Sequence, residues 1–239
     1  MEAHLSSTVE DGLLESLNFK PGGQSASYVV QSRKVKVFAE ASDTFGLNSR
    51  VIRFRIAEQD FWEPASTRIE FTLYNEDTNP ISPCASPGAM FSRYRIFVSG
   101  ILLEDWSYVG ETTVLMDRLK GAARRLNDST EHHFLSNGYN DTYTAIAAGK
   151  ARRVMMTLPC GVDQSEKWVP LNMCSGGVTI EMELSSDVGQ AFDATNTPAW
   201  SIKDVALSCT LHQIDPALSS SYAKHLLSGN STNFTQNQW

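Results

Sequence analysis

The sequence predicts an all-β fold in which eight antiparallel strands form two packed sheets. Short segments alternate apolar and polar residues, which is the pattern of strands with one buried face. Turn-rich or polar stretches separate these segments. The chain has 239 residues, of which 41% are hydrophobic and 20% are charged. This composition is that of a globular protein and excludes a wholly disordered chain.

Alternation with a period of two defines each predicted strand. It is clearest in 51–57, where Ile52, Phe54 and Ile56 share one face. The eight predicted strands are 51–57, 68–74, 92–98, 101–106, 152–158, 168–172, 178–184 and 201–214. In the last strand, Lys203, Val205, Leu207, Cys209 and Leu211 are predicted to face the core. The residues predicted to be buried between the sheets are Ile52, Phe54, Ile56, Ile69, Phe71, Leu73, Ile96, Val98, Ile180, Met182, Val205 and Leu207.

Short helices are predicted between the fourth and fifth strands and after the last strand. Thr113 is expected to cap the first helix, and a second covers 142–148. Asp215 and Pro216 predict the start of the final helix, as N-cap and first helical residue. Eight antiparallel strands in two sheets match the strand count of a jelly roll. The predicted fold is therefore an eight-stranded antiparallel jelly-roll sandwich, with short helices in the insert at about 113–148 and after the last strand.

The predicted organisation has three parts. Residues 1–27 form an N-terminal arm, 28–214 form the jelly-roll barrel, and 215–239 form a helix and a linker. The segment 27–38, where the arm meets the barrel, is β-rich and has the alternation of a half-buried strand. Two interpretations of the linker stay open. It leads to a second barrel absent from this sequence, or the chain is a complete single jelly roll.

No motif in the sequence predicts catalysis, a cofactor or a metal site. His132 and His133 are adjacent and are interpreted as part of a polar surface loop. Glu104 and Asp105 diverge if they lie on a strand, so a shared catalytic proton is not expected. The four cysteines form no CxxC pair, which is typical of free thiols rather than of a zinc site. We predict that the protein is not an enzyme and binds neither a cofactor nor a metal ion.

The charge pattern bears on the class of partner. A net charge of -7 argues against a dedicated nucleic-acid-binding protein. The basic clusters, among them Arg53/Arg55 and Arg93/Arg95, are interpreted as solvated strand faces or subunit contacts. Residues 1–17 lack the apolar core of a signal peptide, and no stretch approaches the roughly 18 apolar residues of a membrane span. We predict no specific nucleic-acid partner, no membrane span and no secretion by a signal peptide.

Two stretches resemble capsid proteins of the double jelly-roll kind, which occur in large eukaryotic DNA viruses and polinton-like elements. They are SPGAMFSRYRIFVSGILLEDW at 86–106 and WSIKDVALSCTLHQIDPALSSSYAKHLLSG at 200–229. The similarity covers about 50–229, which is one barrel, whereas those capsid proteins carry two barrels in a longer chain. The resemblance implies a major capsid protein of an icosahedral viral shell, or a fragment or relic of one. It further implies homotrimers with a pseudo-hexameric outline, contacts with other capsid proteins, and a location in the virion after assembly in the host cytoplasm or nucleus.

The alternative function is a jelly-roll module that binds carbohydrate or protein. Its candidate binding residues are Trp62, Trp168 and Trp200. In the capsid interpretation, apolar side chains in predicted loops or near the chain ends mark subunit contacts. The candidate interface residues are Phe61, Trp62, Phe91, Phe134, Phe192 and Trp239.

Overall fold

The computed structural model describes residues 29–134, 143–158, 161, 165, 167–186, 191–193 and 199–227. Its strands are β1 (Val29–Phe38), β2 (Thr44–Gly46), β3 (Val51–Ile56), β4 (Phe61–Asn75), β5 (Ser82–Pro83), β6 (Phe91–Val98), β7 (Ile101–Ser107), β8 (Ala151–Thr157), β9 (Val169–Pro170), β10 (Val178–Leu184), β11 (Phe192–Asp193) and β12 (Trp200–Ile214). Its helices are α1 (Val109–Leu119), α2 (Ala122–His132) and α3 (Pro216–Leu227), with short 3-10 helices at Pro87–Met90 and Leu171–Met173. No helix in this part of the chain is both long and apolar enough to cross a membrane.

The long strands form two antiparallel sheets. The first sheet has the order β1-β12-β4-β8, and the second has the order β3-β10-β6-β7. In chain order these eight strands are β1, β3, β4, β6, β7, β8, β10 and β12. The first pairs with the eighth, the second with the seventh, the third with the sixth and the fourth with the fifth. This nested pairing is one long hairpin rolled into two sheets, which is a jelly roll. The predicted fold class is confirmed.

The core lies between the two sheets. Of the twelve residues predicted to be there, all are buried except Val98, which is partly buried against the same cluster. Phe71 from the first sheet meets Phe91 from the second edge-to-face, with 6.2 Å between the ring centroids. The apolar sides of the alternating strands therefore meet in one layer, as packing of two sheets requires.

One β-bulge changes the face predicted for β12. Asp204 has a φ of 53°, and the pairing with β4 skips between Lys203 and Ala206. A bulge adds one residue and so reverses the alternation beyond it. Ile202 before the bulge and Val205 after it are consequently both buried, whereas Lys203 is only half-buried. The prediction that Lys203 faces the core is wrong.

The two sheets contain eight long strands, as predicted, but one of the eight is not the predicted segment. The segment 168–172 forms only the two-residue strand β9 before a 3-10 helix, since Pro170 has no N–H to donate to a longer ladder. The eighth long strand is instead β1, which precedes the first of the eight predicted strands. β1 pairs with β12 along most of the length of β1. β4 is also longer than predicted and starts at Phe61.

The insert between β7 and β8 differs from its prediction. α1 begins at Val109, and the Thr113 hydroxyl donates to the carbonyl of Val109 at 2.7 Å, so Thr113 lies inside the helix. The second helix is α2, not 142–148, whose described part is extended because Ile146 is buried and pairs with Ile81. The final helix is confirmed as α3, and Asp215 accepts a hydrogen bond from the N–H of Ala217 at 2.8 Å.

Candidate assembly surfaces

Five of the six aromatic interface candidates lie in the core of the subunit itself. These buried residues are Phe61, Trp62, Phe91, Phe134 and Phe192. Trp62 and Phe61 belong to β4 rather than to a loop, and the indole of Trp62 donates to the hydroxyl of Thr67 at 3.0 Å. These five side chains are thus covered within the single chain. That they mark subunit contacts stays a prediction. Trp239 lies outside the described residues.

The tryptophans proposed for carbohydrate binding are also engaged within the chain. Trp62 and Trp200 are buried. Trp168 stacks on His212 with 3.9 Å between the ring centroids. A sugar-binding platform needs an open aromatic face, and Trp62 and Trp200 have none.

His212 joins three strands of the first sheet. Its Nδ1 lies 2.8 Å from the hydroxyl of Ser32 on β1, and its Nε2 lies 3.2 Å from a carboxylate oxygen of Glu63 on β4. The order serine, histidine and carboxylate is also found in hydrolases. Here the ring of His212 is buried under Trp168, so the arrangement braces β1, β12 and β4.

The outer face of the second sheet carries charges that pair across its strands. Glu181 on β10 is only 5% exposed and accepts hydrogen bonds from Arg53 on β3 and Arg95 on β6. Further out, Arg93 binds both carboxylate oxygens of Asp105 on β7 and holds the pKa of this carboxyl below its usual value. The predicted basic clusters therefore lie on a strand face, where Arg53, Arg93 and Arg95 are paired with acidic neighbours and Arg55 donates to the carbonyl of Gly176.

The outer face of the first sheet is neutralised in the same way. Glu70 on β4 binds Lys36 on β1 at 2.7 Å and Arg153 on β8 at 2.8 Å. Partial burial acts to raise the pKa of Glu70, but these two hydrogen bonds outweigh it and lower the pKa below its usual value. The ammonium of Lys203 sits over the ring of Tyr74 at 4.6 Å.

The helices α1 and α2 close the side of the sandwich between β7 and β8. Trp106 of β7 and Met156 of β8 line a cavity of about 190 Å³ together with residues of both helices. We call the side formed by β7, α1 and α2, residues 101–132, the lateral face. It carries paired charges, such as those of Lys120 with Asp117 and Asp128, together with exposed aliphatic side chains such as Leu115 and Leu119.

A buried carboxylate holds this insert in place. Asp117 is 6% exposed, accepts a hydrogen bond from the N–H of Ser86 at 2.8 Å and binds Lys120 at 2.9 Å. Lys120 also binds Asp128 of α2 at 2.9 Å, so one cation joins both helices. These contacts fix the position of the lateral face on the barrel.

The two pairs of adjacent polar residues, His132 with His133 and Glu104 with Asp105, do not form a catalytic or metal-binding site. His132 ends α2 beside the cavity, where burial lowers the pKa of its imidazole, and His133 follows with a φ of 61°. They are therefore part of a helix end, not of the predicted loop. Glu104 accepts a hydrogen bond from the N–H of Gly161, whereas Asp105 binds Arg93. Among the described residues, no three metal-ligating side chains form a group.

Two of the four cysteines, Cys174 and Cys209, lie in surroundings that disfavour thiol chemistry. Burial raises the pKa of the Cys174 thiol, and it raises the pKa of Cys209 to about 12. A thiol whose pKa is high is protonated at neutral pH and is a poor nucleophile and a poor metal ligand.

Comparison with known proteins defines the class of fold. No family model and no curated protein matches the chain. Among solved structures, it is similar to PBCV-1 VP54, as fitted into a reconstruction of the virophage Sputnik, with a TM-score of 0.52 and 11% identity over 86% of this chain and 47% of the other. The quasi-atomic model of the PBCV-1 virus capsid has a TM-score of 0.50 and 13% identity over 86% and 47% of the two chains. The Faustovirus major capsid protein has a TM-score of 0.50 and 11% identity over 91% and 60%.

The chain therefore has the jelly-roll fold that is found in these viral capsid proteins, as its sequence predicts. It spans about half of the length of the two PBCV-1 chains and somewhat more of the Faustovirus chain.

Proposed function

We propose that this chain is a structural subunit of a viral shell, the barrel of a major capsid protein. One observation carries the proposal, namely that the nested jelly-roll pairing matches capsid proteins over 86% to 91% of the chain. The sequence stretches at 86–106 and 200–229 resemble capsid proteins of the double jelly-roll kind. The alternative of a carbohydrate-binding module loses support, because Trp62 and Trp200 are buried.

The role proposed is geometric rather than enzymatic. The charged groups on both sheet faces bind one another, and His212 braces strands under Trp168. These interactions tie neighbouring strands of the barrel to one another. We propose that the protein acts in the virion through contacts with other subunits, without a cofactor.

We propose that residues 28–214 are the barrel, that 1–27 are an arm, and that 215–239 are a helix and linker. α3 supports the start of the third part. The similar capsid chains are longer than this one, since it covers 47% of PBCV-1 VP54 and 60% of the Faustovirus protein.

The assembly proposed is a homotrimer that joins other capsid proteins. The test is the mass in solution of the full 239-residue chain, measured by light scattering after size-exclusion chromatography. We expect three times the mass of one chain. A monomer at high protein concentration would contradict the proposal.

A further inference from the structure

His132 lies beside the cavity under the two helices with one ring nitrogen buried. The cavity has a volume of about 190 Å³, and His132 at the end of α2 lines it together with Asp117 and Lys120. The Nδ1 atom of His132 is buried and has no hydrogen-bond partner among the described residues. Buried polar atoms in folded proteins are normally hydrogen-bonded, so this exception needs a physical explanation.

The other walls of the cavity supply no charge to the imidazole. Within the described part of the chain, β7, β8 and the 3-10 helix at Pro87–Met90 line it with side chains or backbone that do not ionise, such as Trp106, Met156 and Gly88. The charged groups around His132 therefore belong to the helices and to the end of α1.

The carboxylates near His132 are already engaged with cations. Asp117 and Asp128 both bind Lys120 at 2.9 Å. Glu131 lies 3.8 Å from Arg68 of β4. All three carboxylates attract a positive imidazole, whereas the ammonium of Lys120 repels it. An imidazolium in the cavity would therefore meet acidic groups whose charge is largely balanced.

Protonation of His132 is disfavoured while the end of α2 is docked. A second proton puts a hydrogen on both ring nitrogens, so Nδ1 becomes a charged donor without an acceptor. A buried charged group without a partner costs more than a buried neutral one. Burial accordingly lowers the pKa of His132, and the nearby carboxylates do not compensate for it. In water the same side chain would have the ordinary histidine pKa of about 6.5.

The helix that carries His132 is weakly attached to the barrel. Ser129 is the one buried residue of α2, all of whose residues are described. Gly121, which precedes α2, supplies no capping side chain, and nothing lies within 4 Å of the position of its missing Cβ. Phe134, just after the helix, is buried in the core and fixes the chain there. Segments with few buried apolar contacts open locally while the core stays folded.

We propose that His132 makes the docking of α2 sensitive to pH. The helix end is docked beside the cavity while the imidazole is neutral, and it leaves the cavity when the imidazole binds a proton. At acid pH the insert between β7 and β8 is thus loosened, and the two sheets stay in place. The device is a property of a single chain, so it does not depend on the proposed function.

The sign and the size of the effect follow from the two protonation states. The released helix end binds a proton more tightly than the docked one, so docking weakens as the pH falls below the ordinary histidine pKa. At pH 5 this pKa lies about 1.5 above the pH, so protonation can favour the released state by up to about thirtyfold. At pH 8 His132 is neutral in both states and the docking is unaffected.

The test is amide hydrogen exchange of the full 239-residue chain at pH 8 and pH 5, corrected for the intrinsic effect of pH on exchange. We expect the last turn of α2, residues 129–132, to exchange at least about threefold faster at pH 5 relative to β4. His132→Gln does not titrate in this range, so it should abolish the pH effect. The matched control is His133→Asn, which changes an exposed neighbour at a positive φ that asparagine tolerates, and it should keep the effect.

Three results of this experiment would overturn the inference. They are equal corrected exchange of the helix end at both pH values, a pH effect that persists in His132→Gln, and an increase at pH 5 that is as large in β4 as in α2. A nuclear magnetic resonance titration of the wild type does not depend on how the variant folds. The imidazole of His132 should titrate below the ordinary value of about 6.5, and titration at or above that value would also overturn the inference. The proposed function is tested separately, by the mass in solution.

Discussion

The outer faces of the two sheets carry charges that bind one another within the chain, whereas the lateral face exposes aliphatic side chains. Glu181 and Glu70 each bind two cations from neighbouring strands. On α1, by contrast, Leu115 and Leu119 point to water while Asp117 is buried. The sheet faces and the lateral face therefore differ in the kind of side chain that they present to water. The sheet faces meet water with paired charges, and the lateral face meets it with exposed aliphatic side chains.

The barrel core should show the largest effect on stability. Phe71 is fully buried and packs on Phe91, so Phe71→Ala should lower the free energy of unfolding by about 3–5 kcal/mol. Phe38 is exposed on β1, and Phe38→Ala should change it by less than about 0.5 kcal/mol. Urea unfolding of both variants measures the difference. Equal effects would mean that Phe71 is not in the core.

The anchor of the lateral face should show the next largest effect. Asp117→Asn should cost about 1–3 kcal/mol, because the N–H of Ser86 and the ammonium of Lys120 lose a charged acceptor. Asp128 binds the same ammonium from a more exposed position, so Asp128→Asn should cost less than about 1 kcal/mol. Thermal unfolding of the two variants provides the comparison. A larger loss for Asp128→Asn would show that Asp117 is not the anchor.

The ion pairs of the sheet faces should give a small effect that depends on pH. The pKa of Glu70 is lowered in the folded protein, so its stabilising contribution is present above the usual carboxyl pKa and is lost as the pH falls through the lowered value. Glu70→Gln should therefore destabilise the protein by at most about 1 kcal/mol near pH 7, because the network is partly solvated. The difference should vanish near pH 2.

The measurement for Glu70 is the melting temperature of the wild type and the variant across the acid range. Glu40 is exposed, and Glu40→Gln serves as the control with no expected difference at either pH. A Glu70→Gln difference that grew towards low pH would contradict the assignment.

The lateral face should show the smallest effect on the stability of a single chain. Leu119 is 73% exposed, so Leu119→Ser should change the free energy of unfolding of the monomer by less than about 0.5 kcal/mol. A large loss of stability in the dilute monomer would mean that Leu119 packs within the subunit.

The strand pattern was predictable because burial on one face imposes a period of two. The alternation in β3 and β10 yields the core residues directly, such as Phe54 and Ile180, which are both buried. The bulge at Asp204 was not predictable, since one inserted residue leaves the composition of β12 unchanged and reverses its faces. The first and last residues of β4 and β9 depend on pairing with strands that are distant in the sequence. The local alternation of apolar and polar residues does not predict that pairing.

The candidate surfaces were harder to predict than the fold. Aromatic residues in the connections suggested exposure, yet Phe134 and Phe192 fold into the core. Whether a loop residue packs on its own barrel depends on the path of the chain. A local signal for the lateral face did exist, because three aliphatic residues in succession, 101–103, cannot all lie on one side of a strand.

Cryo-electron microscopy of the purified full-length protein tests the central claim most directly. The account predicts particles with three-fold symmetry, in which the proposed capsid barrel meets two other copies of itself. Particles that stay monomeric at high protein concentration would contradict it.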